Sequence, residues 1–128
     1  MTPREMTASD RRFVVPTWAL SSKYDGMSKH QRFKLVDRIL DGGARCIVLA
    51  EGATVHAWAC GAEDALHYVY VPPELRRTRS DEPGPCLAKL LIRLVLDGYP
   101  ERVHVTHEWP WESRRFVFKP YLIHREAA

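Results

Sequence analysis

The sequence lacks the segments that mark membrane and secreted proteins. No apolar run approaches the roughly 20 residues that a membrane-spanning helix needs. Residues 1–10 are polar and contain no apolar core of the kind that a signal peptide requires. We therefore expect a cytoplasmic protein with no membrane partner.

Cysteine is scarce, and its spacing excludes the usual metal and disulfide patterns. Cys46, Cys60 and Cys86 lie far apart in the sequence, so they match neither a zinc site nor an even-numbered disulfide set. Histidine is more frequent, but His104 and His107 are three residues apart and would face opposite sides of a strand. We expect reduced thiols and no metal site.

Neither sign of charge is in large excess, and no repeat or low-complexity segment occurs. The net charge is +3 over 128 residues, which is typical of a solvated surface and does not by itself indicate a nucleic-acid partner. Walker, Rossmann and Gly-x-Ser-x-Gly motifs are absent. Hydrophobic residues make up 45% of the chain, which is ordinary for a globular protein. We expect one domain over residues 1–128, with residues 1–10 flexible.

The most informative stretch present is the apolar segment from Leu66 to Val71. It is rich in β-branched and aromatic residues, which predicts a strand. Only His67 interrupts its apolar character, so both faces should be covered, as in a central strand. Pro72 and Pro73 end the strand, because proline cannot donate a hydrogen bond to a neighbouring strand.

Other elements can be placed around this strand. Ser28 and Gln31 match a capping box at the start of a helix. The remaining predicted elements are a first strand at Arg12–Val15, a hairpin of Arg45–Ala50 and Thr54–Cys60, a helix near Leu87–Leu96, a strand at Arg102–Thr106 and a last strand at Arg115–His124. The helix between two strands predicts a βαβ unit with parallel strands and an α/β fold with a mixed sheet.

The segment from Tyr68 to Arg77, YVYVPPELRR, resembles the GNAT superfamily of N-acetyltransferases. In that family a central strand ends in a V-x-P-x-x-R pattern, and a glycine-rich loop and a helix follow. The chain is most similar to the small GNAT-like proteins of phages and prophages. Arg79 and Asp81 stand where the family has loop glycines, so the loop is degenerate. The resemblance implies a mostly antiparallel sheet with a central βαβ unit and helices on both faces.

The resemblance also implies an activity and a cofactor site. GNAT enzymes move an acetyl or related acyl group from coenzyme A to an amine, which makes acetyl-CoA the expected cosubstrate. Backbone groups of the central strand bind the pantetheine arm, and the loop holds the pyrophosphate. The corresponding cofactor-binding residues here are Val69, Tyr70, Val71, Arg76, Arg77 and Gly84.

Two residues are candidates for catalysis. Tyr121 stands where many GNAT enzymes place a tyrosine that protonates the departing thiolate, a role that a well-positioned phenol can fill. Glu108, or else His107, follows a predicted parallel strand, and ligands bind at the carboxyl ends of such strands. Either side chain could deprotonate the amine.

Other functions fit the same residues. A GNAT-fold protein that has lost CoA activity could bind a protein or a nucleic acid, and a phage-type transferase could modify nucleobases. Trp109–Trp111 with Arg114 and Arg115 mixes aromatic and cationic groups, as single-stranded nucleic-acid sites do, although a packed turn covering the sheet is the favoured interpretation. The acceptor could be a small amine, a protein or a nucleic acid. An exposed strand edge near Pro120 would permit a homodimer.

Overall fold

A computed structural model describes residues 1–62, 65–76, 86–98, 102–107 and 116–122. In these ranges six strands form one open sheet, with three α-helices and two short 3-10 turns. The strands are β1 (Thr2–Glu5), β2 (Arg45–Glu51), β3 (Thr54–Ala62), β4 (Ala65–Tyr70), β5 (Val103–Val105) and β6 (Phe116–Phe118). The helices are α1 (Ala8–Ser21), α2 (Lys29–Asp41) and α3 (Leu87–Val95), and the turns are Pro73–Leu75 and Pro120–Leu122.

The strands lie side by side in chain order, and their directions match the predicted fold class. The pairs from β1 to β4 are antiparallel, whereas β4–β5 and β5–β6 are parallel. The unit β4–α3–β5 is the predicted βαβ crossover. The fold is therefore α/β with a mixed, mostly antiparallel sheet, which is consistent with a GNAT-like architecture.

The start of the chain differs from the sequence-based expectation. Thr2–Glu5 forms an edge strand beside β2, where an irregular segment was expected. Arg12–Val15, expected as a strand, lies inside α1, so that prediction is wrong. The physical reason is a second capping box, in which the Thr7 hydroxyl accepts from the Asp10 amide at 3.2 Å and the Asp10 carboxylate accepts from the Thr7 amide at 2.9 Å.

Helix α1 continues through Pro16, the residue that directly follows the predicted Arg12–Val15 strand. A proline inside a helix costs about 3 kcal/mol. Val14 and Trp18 lie on one helical face on either side of it, and both are fully buried. Their burial against the sheet outweighs the local cost of the proline.

The predicted capping box of α2 is confirmed. The Ser28 hydroxyl accepts from the Gln31 amide at 3.2 Å, and the Gln31 side chain accepts from the Ser28 amide at 2.7 Å. The helix ends at Asp41, and Gly43 then adopts a φ of +92°, which glycine tolerates. The hairpin of β2 and β3 is also confirmed.

Two different cores lie on the two sides of the sheet. We call the side covered by α1 and α2 the aromatic face, because Trp58, Tyr68 and Tyr70 project from it. We call the opposite side, covered by α3, the aliphatic face. It is built mainly from Ile47, Leu49, Ala57, Ala59, Leu91 and Val95. Helices on both faces agree with the predicted architecture.

Helix α3 is confirmed, but its buried stripe is rotated from the expected one. Leu91 and Val95 are buried as expected, whereas Leu90 is 37% exposed and Ile92 is buried. Ile92 packs against β4 and β5, so the buried side of the helix includes the side that faces these two strands.

The last strand is shorter than expected. It ends at Phe118, and Pro120 begins a 3-10 turn, so the strand does not continue through the proline to His124 as expected. Proline lacks the N–H that a continuing strand needs.

Candidate functional site at the divergence of β4 and β5

A β-bulge in β4 shapes the most distinctive part of the sheet. Cys60 pairs with Tyr68 and Gly61 pairs with Leu66, which leaves His67 as the extra residue of β4 opposite β3. A bulge bends its strand and increases the local twist, and bulges are frequent beside active sites. The bend in β4 therefore begins at His67.

The pairing between β4 and β5 stops at the same place. Ala65 pairs with His104 and Leu66 with Val105, and the Thr106 amide donates to the Leu66 carbonyl at 3.0 Å. Among the residues that the structure describes, none pairs with residues 67–70 from the β5 side. The pairing between the described residues of the two strands thus ends at the bulge, and we call this place the divergence of β4 and β5.

A buried polar contact joins β4 to the end of β5 directly after their last paired residues. His67 Nδ1 lies 2.8 Å from Thr106 Oγ1, and both residues are almost completely buried. A hydrogen bond in such a low-dielectric place is costly to break. His67 thus links β4 to the end of β5, which explains a polar residue in an otherwise apolar strand.

The register also determines which backbone groups face the divergence. The Met6 amide donates to the Cys46 carbonyl at 2.9 Å, so the backbone groups of Cys46 face β1. Successive residues of a strand present these groups to opposite neighbours. Following the alternation through β2, β3 and β4 turns the N–H and C=O of Val69 toward the β5 side and those of Tyr70 toward β3.

The end of β4 carries an exposed cation. Arg76 Nε donates to the Val71 carbonyl at 2.6 Å, which folds the arginine back onto the strand. The side chain remains exposed, and the guanidinium has further N–H donors beyond Nε. Val69, Val71 and Arg76, three of the predicted cofactor-binding residues, therefore lie along one short stretch.

The other predicted site residues lie wholly or partly outside the described part of the chain. Arg77, Gly84 and Glu108 lie outside the described residues, as does the Trp109–Trp111 segment. Tyr121 belongs to the 3-10 turn Pro120–Leu122, and its backbone alone is described. Their assigned roles stay predictions.

An aromatic wall flanks the divergence on the aromatic face. Trp18 stacks on Tyr68 with ring centroids 5.9 Å apart, and Trp58 stacks on Tyr70 at 6.0 Å. Phe13 of α1 meets the Tyr70 ring edge-on at 6.0 Å. These contacts hold the two tyrosines of β4 in fixed orientations.

Tyr68 carries a polar group into this wall. Its hydroxyl donates to Ser21 Oγ at 2.9 Å. Burial raises the pKa of the Tyr68 phenol, while the hydrogen bond with Ser21 and the charge of Arg76 oppose that shift only in part. The phenol is therefore protonated at neutral pH and can act as a proton donor.

His107 closes the same side of the site. Its Nε2 accepts from the Lys23 amide at 2.9 Å, and its ring lies edge-on to Tyr68 at 4.8 Å and to Tyr24 at 5.1 Å. Nε2 thus carries no proton, and its lone pair is already used. As a base toward an amine, His107 would first have to release the Lys23 amide.

Tyr24 anchors the loop between α1 and α2 beneath His107. Its hydroxyl accepts from Trp18 Nε1 at 3.0 Å, and burial raises the pKa of its phenol.

The sequence gives only weak signals for the polar cluster of Ser21, Tyr24, Tyr68 and His107. Tyr68 and Tyr70 are two apart in a strand and so share a face, but nothing local places Ser21, Tyr24 or His107 beside them.

In comparisons with known proteins, no protein-family model matches this chain, and no curated protein or solved structure matches it significantly. Within the described ranges, no three His, Cys, Asp or Glu side chains are grouped as metal ligands. None of the helices described is long and apolar enough to cross a membrane.

Proposed function

We propose that the protein is a GNAT-like acyltransferase that moves an acetyl or related acyl group from coenzyme A to an amine. The observation that carries the proposal is that, among the described residues, the pairing of β4 with β5 ends at the His67 bulge. In GNAT enzymes the pantetheine arm enters at the corresponding divergence. This geometry adds to the resemblance of Tyr68–Arg77 to the family.

The physical basis is recognition by strand addition. A pantetheine arm contains amide groups, which can pair with an unfilled strand edge as another peptide would. The backbone N–H and C=O of Val69 face the β5 side and are suited to this role. Arg76 is exposed at the end of the same strand and can pair with a phosphate.

The chemical step needs few groups from the protein. The amine attacks the thioester carbonyl, the carbon–sulfur bond breaks, and the leaving thiolate takes up a proton; the enzyme mainly holds the reactants in line. Tyr121 is the acid implied by the family resemblance. Tyr68 is a second candidate, because its phenol stays protonated and lies beside the divergence.

Calorimetric titration with acetyl-CoA tests the proposal. We expect binding no tighter than about 1 μM, because Arg79 and Asp81 replace family glycines in the loop. Arg76→Ala should weaken binding at least about tenfold, whereas the control Arg38→Ala, an exposed arginine of α2, should not. Release of free CoA thiol should then be followed with small amines, peptides and DNA as acceptors.

The titration also has an outcome that rejects the proposal. If the folded protein binds no acetyl-CoA at millimolar concentration, the acyltransferase function is wrong. If binding occurs but Arg76→Ala and Arg38→Ala behave alike, Arg76 is not part of the site.

The second candidate is a GNAT-fold binding module without CoA activity. It is favoured by two exposed apolar side chains on α1, Phe13 at 36% and Leu20 at 57%. They are seven residues apart and so share one helical face. Absence of acetyl-CoA binding, together with a partner lost on Leu20→Ser, would support this function.

A further inference from the structure

The fold brings together two cysteines that are distant in the sequence. Cys46 of β2 and Cys60 of β3 are direct cross-strand partners, and both side chains lie in the core of the aromatic face. Both thiols are reduced in the structure. Fourteen positions separate them along the chain, so their spacing alone predicts no pair.

Antiparallel strands contain hydrogen-bonded and non-hydrogen-bonded residue pairs, and the register places the two cysteines in a non-hydrogen-bonded pair, in which the Cα atoms are closer together. The Cys46 carbonyl accepts from the Met6 amide, so its backbone groups face β1 and away from β3. Cys46 and Cys60 therefore form a non-hydrogen-bonded pair, whose Cα atoms lie about 4.5 Å apart. That separation is within the range, about 4.4–6.8 Å, that a disulfide can span.

We infer that Cys46 and Cys60 form a cross-strand disulfide when the protein meets a two-electron oxidant of the peroxide class. The Cys46 thiolate attacks hydrogen peroxide, which yields a sulfenic acid and hydroxide, and the hydroxide takes up a proton to become water. The Cys60 thiolate then attacks that sulfur, forms the S–S bond and expels a second water after protonation. Two thiols and one peroxide thus give one disulfide and two waters.

Access to the pair has a structural route. Cys46 is 3% exposed and Cys60 is fully buried, so oxidation requires local opening. Met6 packs against the same core cluster and donates its amide to the Cys46 carbonyl, next to the four-residue edge strand β1. Short edge elements with exposed residues open at low free energy. Detachment of β1 would expose Cys46 first.

The test uses the Cys86→Ser variant, which keeps the pair and removes the third thiol. Cys86 is the N-cap of α3, a position that serine favours, so this variant should remain folded. Incubation with hydrogen peroxide should lower the intact mass by two hydrogens and abolish alkylation under denaturing conditions. Peptide mapping should join the Cys46 and Cys60 peptides. The melting temperature should rise by about 10 °C and fall again with dithiothreitol.

Cys60→Ala in the same background serves as the control, and it should show neither the mass loss nor the reversible shift. To separate geometry from access, the Cys86→Ser protein should also be unfolded and refolded in a glutathione redox buffer, where both thiols are reachable. Formation of the disulfide with peroxide supports the inference, whereas formation only on refolding would show that peroxide does not reach the pair and would contradict it. If both thiols stay alkylatable after peroxide treatment and after refolding, or if only sulfinic acids form, the inference is wrong.

Discussion

The two faces of the sheet are covered by different kinds of side chain. The aliphatic face packs α3 against small and branched side chains such as Leu49, Ala57 and Leu91, which are almost fully buried. The aromatic face packs α1 and α2 against large rings whose polar atoms are hydrogen-bonded, such as Trp58 and Tyr68. One face is a simple hydrophobic core, and the other is a core that reaches the surface with hydroxyl and imidazole groups.

This difference indicates how stability and chemistry are divided. Aliphatic packing offers no hydrogen-bonding group to a ligand, so its role is to hold the helix and sheet together. The aromatic face combines buried rings with half-buried polar groups beside the divergence of β4 and β5. Substitutions should therefore separate into those that lower the free energy of unfolding and those that change binding or chemistry.

The largest effect should come from a fully buried ring of the aromatic face. Trp58 is fully buried and its Nε1 donates to Thr17 Oγ1 at 2.9 Å. Trp58→Ala should lower the free energy of unfolding by about 3–5 kcal/mol, measured by urea denaturation. Trp58→Phe keeps a ring and should cost less than half as much. A loss below about 1 kcal/mol for Trp58→Ala would mean that the aromatic face is not a core.

A charged contact at the start of α1 should give the next effect. Asp10 is 3% exposed and pairs with Arg4. Asp10→Asn removes a hydrogen-bonded charge and should cost about 1.5–3 kcal/mol at pH 7. Asp25→Asn, at an exposed turn, controls for loss of a carboxylate.

The effect of Asp10 should also depend on pH. Burial alone would raise the pKa of its carboxyl, but hydrogen bonds from Arg4 and Thr7 outweigh it and leave the pKa lowered. A carboxyl whose pKa is lower in the folded state than in the unfolded state, where it is near 3.9, stabilises the folded protein above that unfolded value. This contribution is lost as the pH falls through the folded pKa. The difference in the free energy of unfolding between the wild type and Asp10→Asn should therefore shrink below pH 4. A gap that stays constant from pH 7 to pH 3 would contradict the ion pair.

Gly61, next to the bulge, is closely packed against Ala65 and Val95. A Cβ there would lie 2.7 Å from the Ala65 carbonyl oxygen and 2.9 Å from Val95 Cγ1. Gly61→Ala should therefore destabilise the protein by about 1–3 kcal/mol through overpacking, measured by thermal denaturation. Adding Val95→Ala should restore part of the loss if the side chain is the main obstacle. An unchanged melting temperature would mean that the bulge region adjusts freely.

The smallest stability effect should come from Tyr68, where function should change most. Tyr68→Phe removes the hydrogen bond to Ser21 from a half-buried ring and should cost about 0.5–1 kcal/mol. If Tyr68 is the acid, acetyl transfer should fall while acetyl-CoA affinity is kept, whereas Tyr70→Phe should leave the rate unchanged. Equal rates for the wild type and both variants would leave Tyr121 as the candidate acid.

Much of the fold could be predicted because it depends on local signals. The Ser28–Gln31 capping box, the hairpin around Gly52, the prolines after Val71 and the apolar spacing of α3 act over a few residues. One error missed a local signal, the capping box of Thr7 and Asp10, and another occurred where a distant contact opposed a local signal. Pro16 did not end α1, because burial of Trp18 against the sheet offsets its cost.

Less of the candidate site could be predicted. The sequence indicated the end of the central strand and its cation, Arg76, but not the groups that surround them. The contacts of His107 with Lys23 and of Tyr68 with Ser21 join residues from different elements. No periodicity in a single element carries that information.

The sequence by itself determined α2, the β2–β3 hairpin, the central strand β4 and α3, because capping, propensity and hydrophobic period are properties of neighbouring residues. Only the tertiary structure decided that His67 is a bulge, that the backbone of Val69 faces away from β3, and that Cys46 meets Cys60. These features depend on strand register. A shift of one residue would change every pairing, and the register is set by the packing of both faces at once.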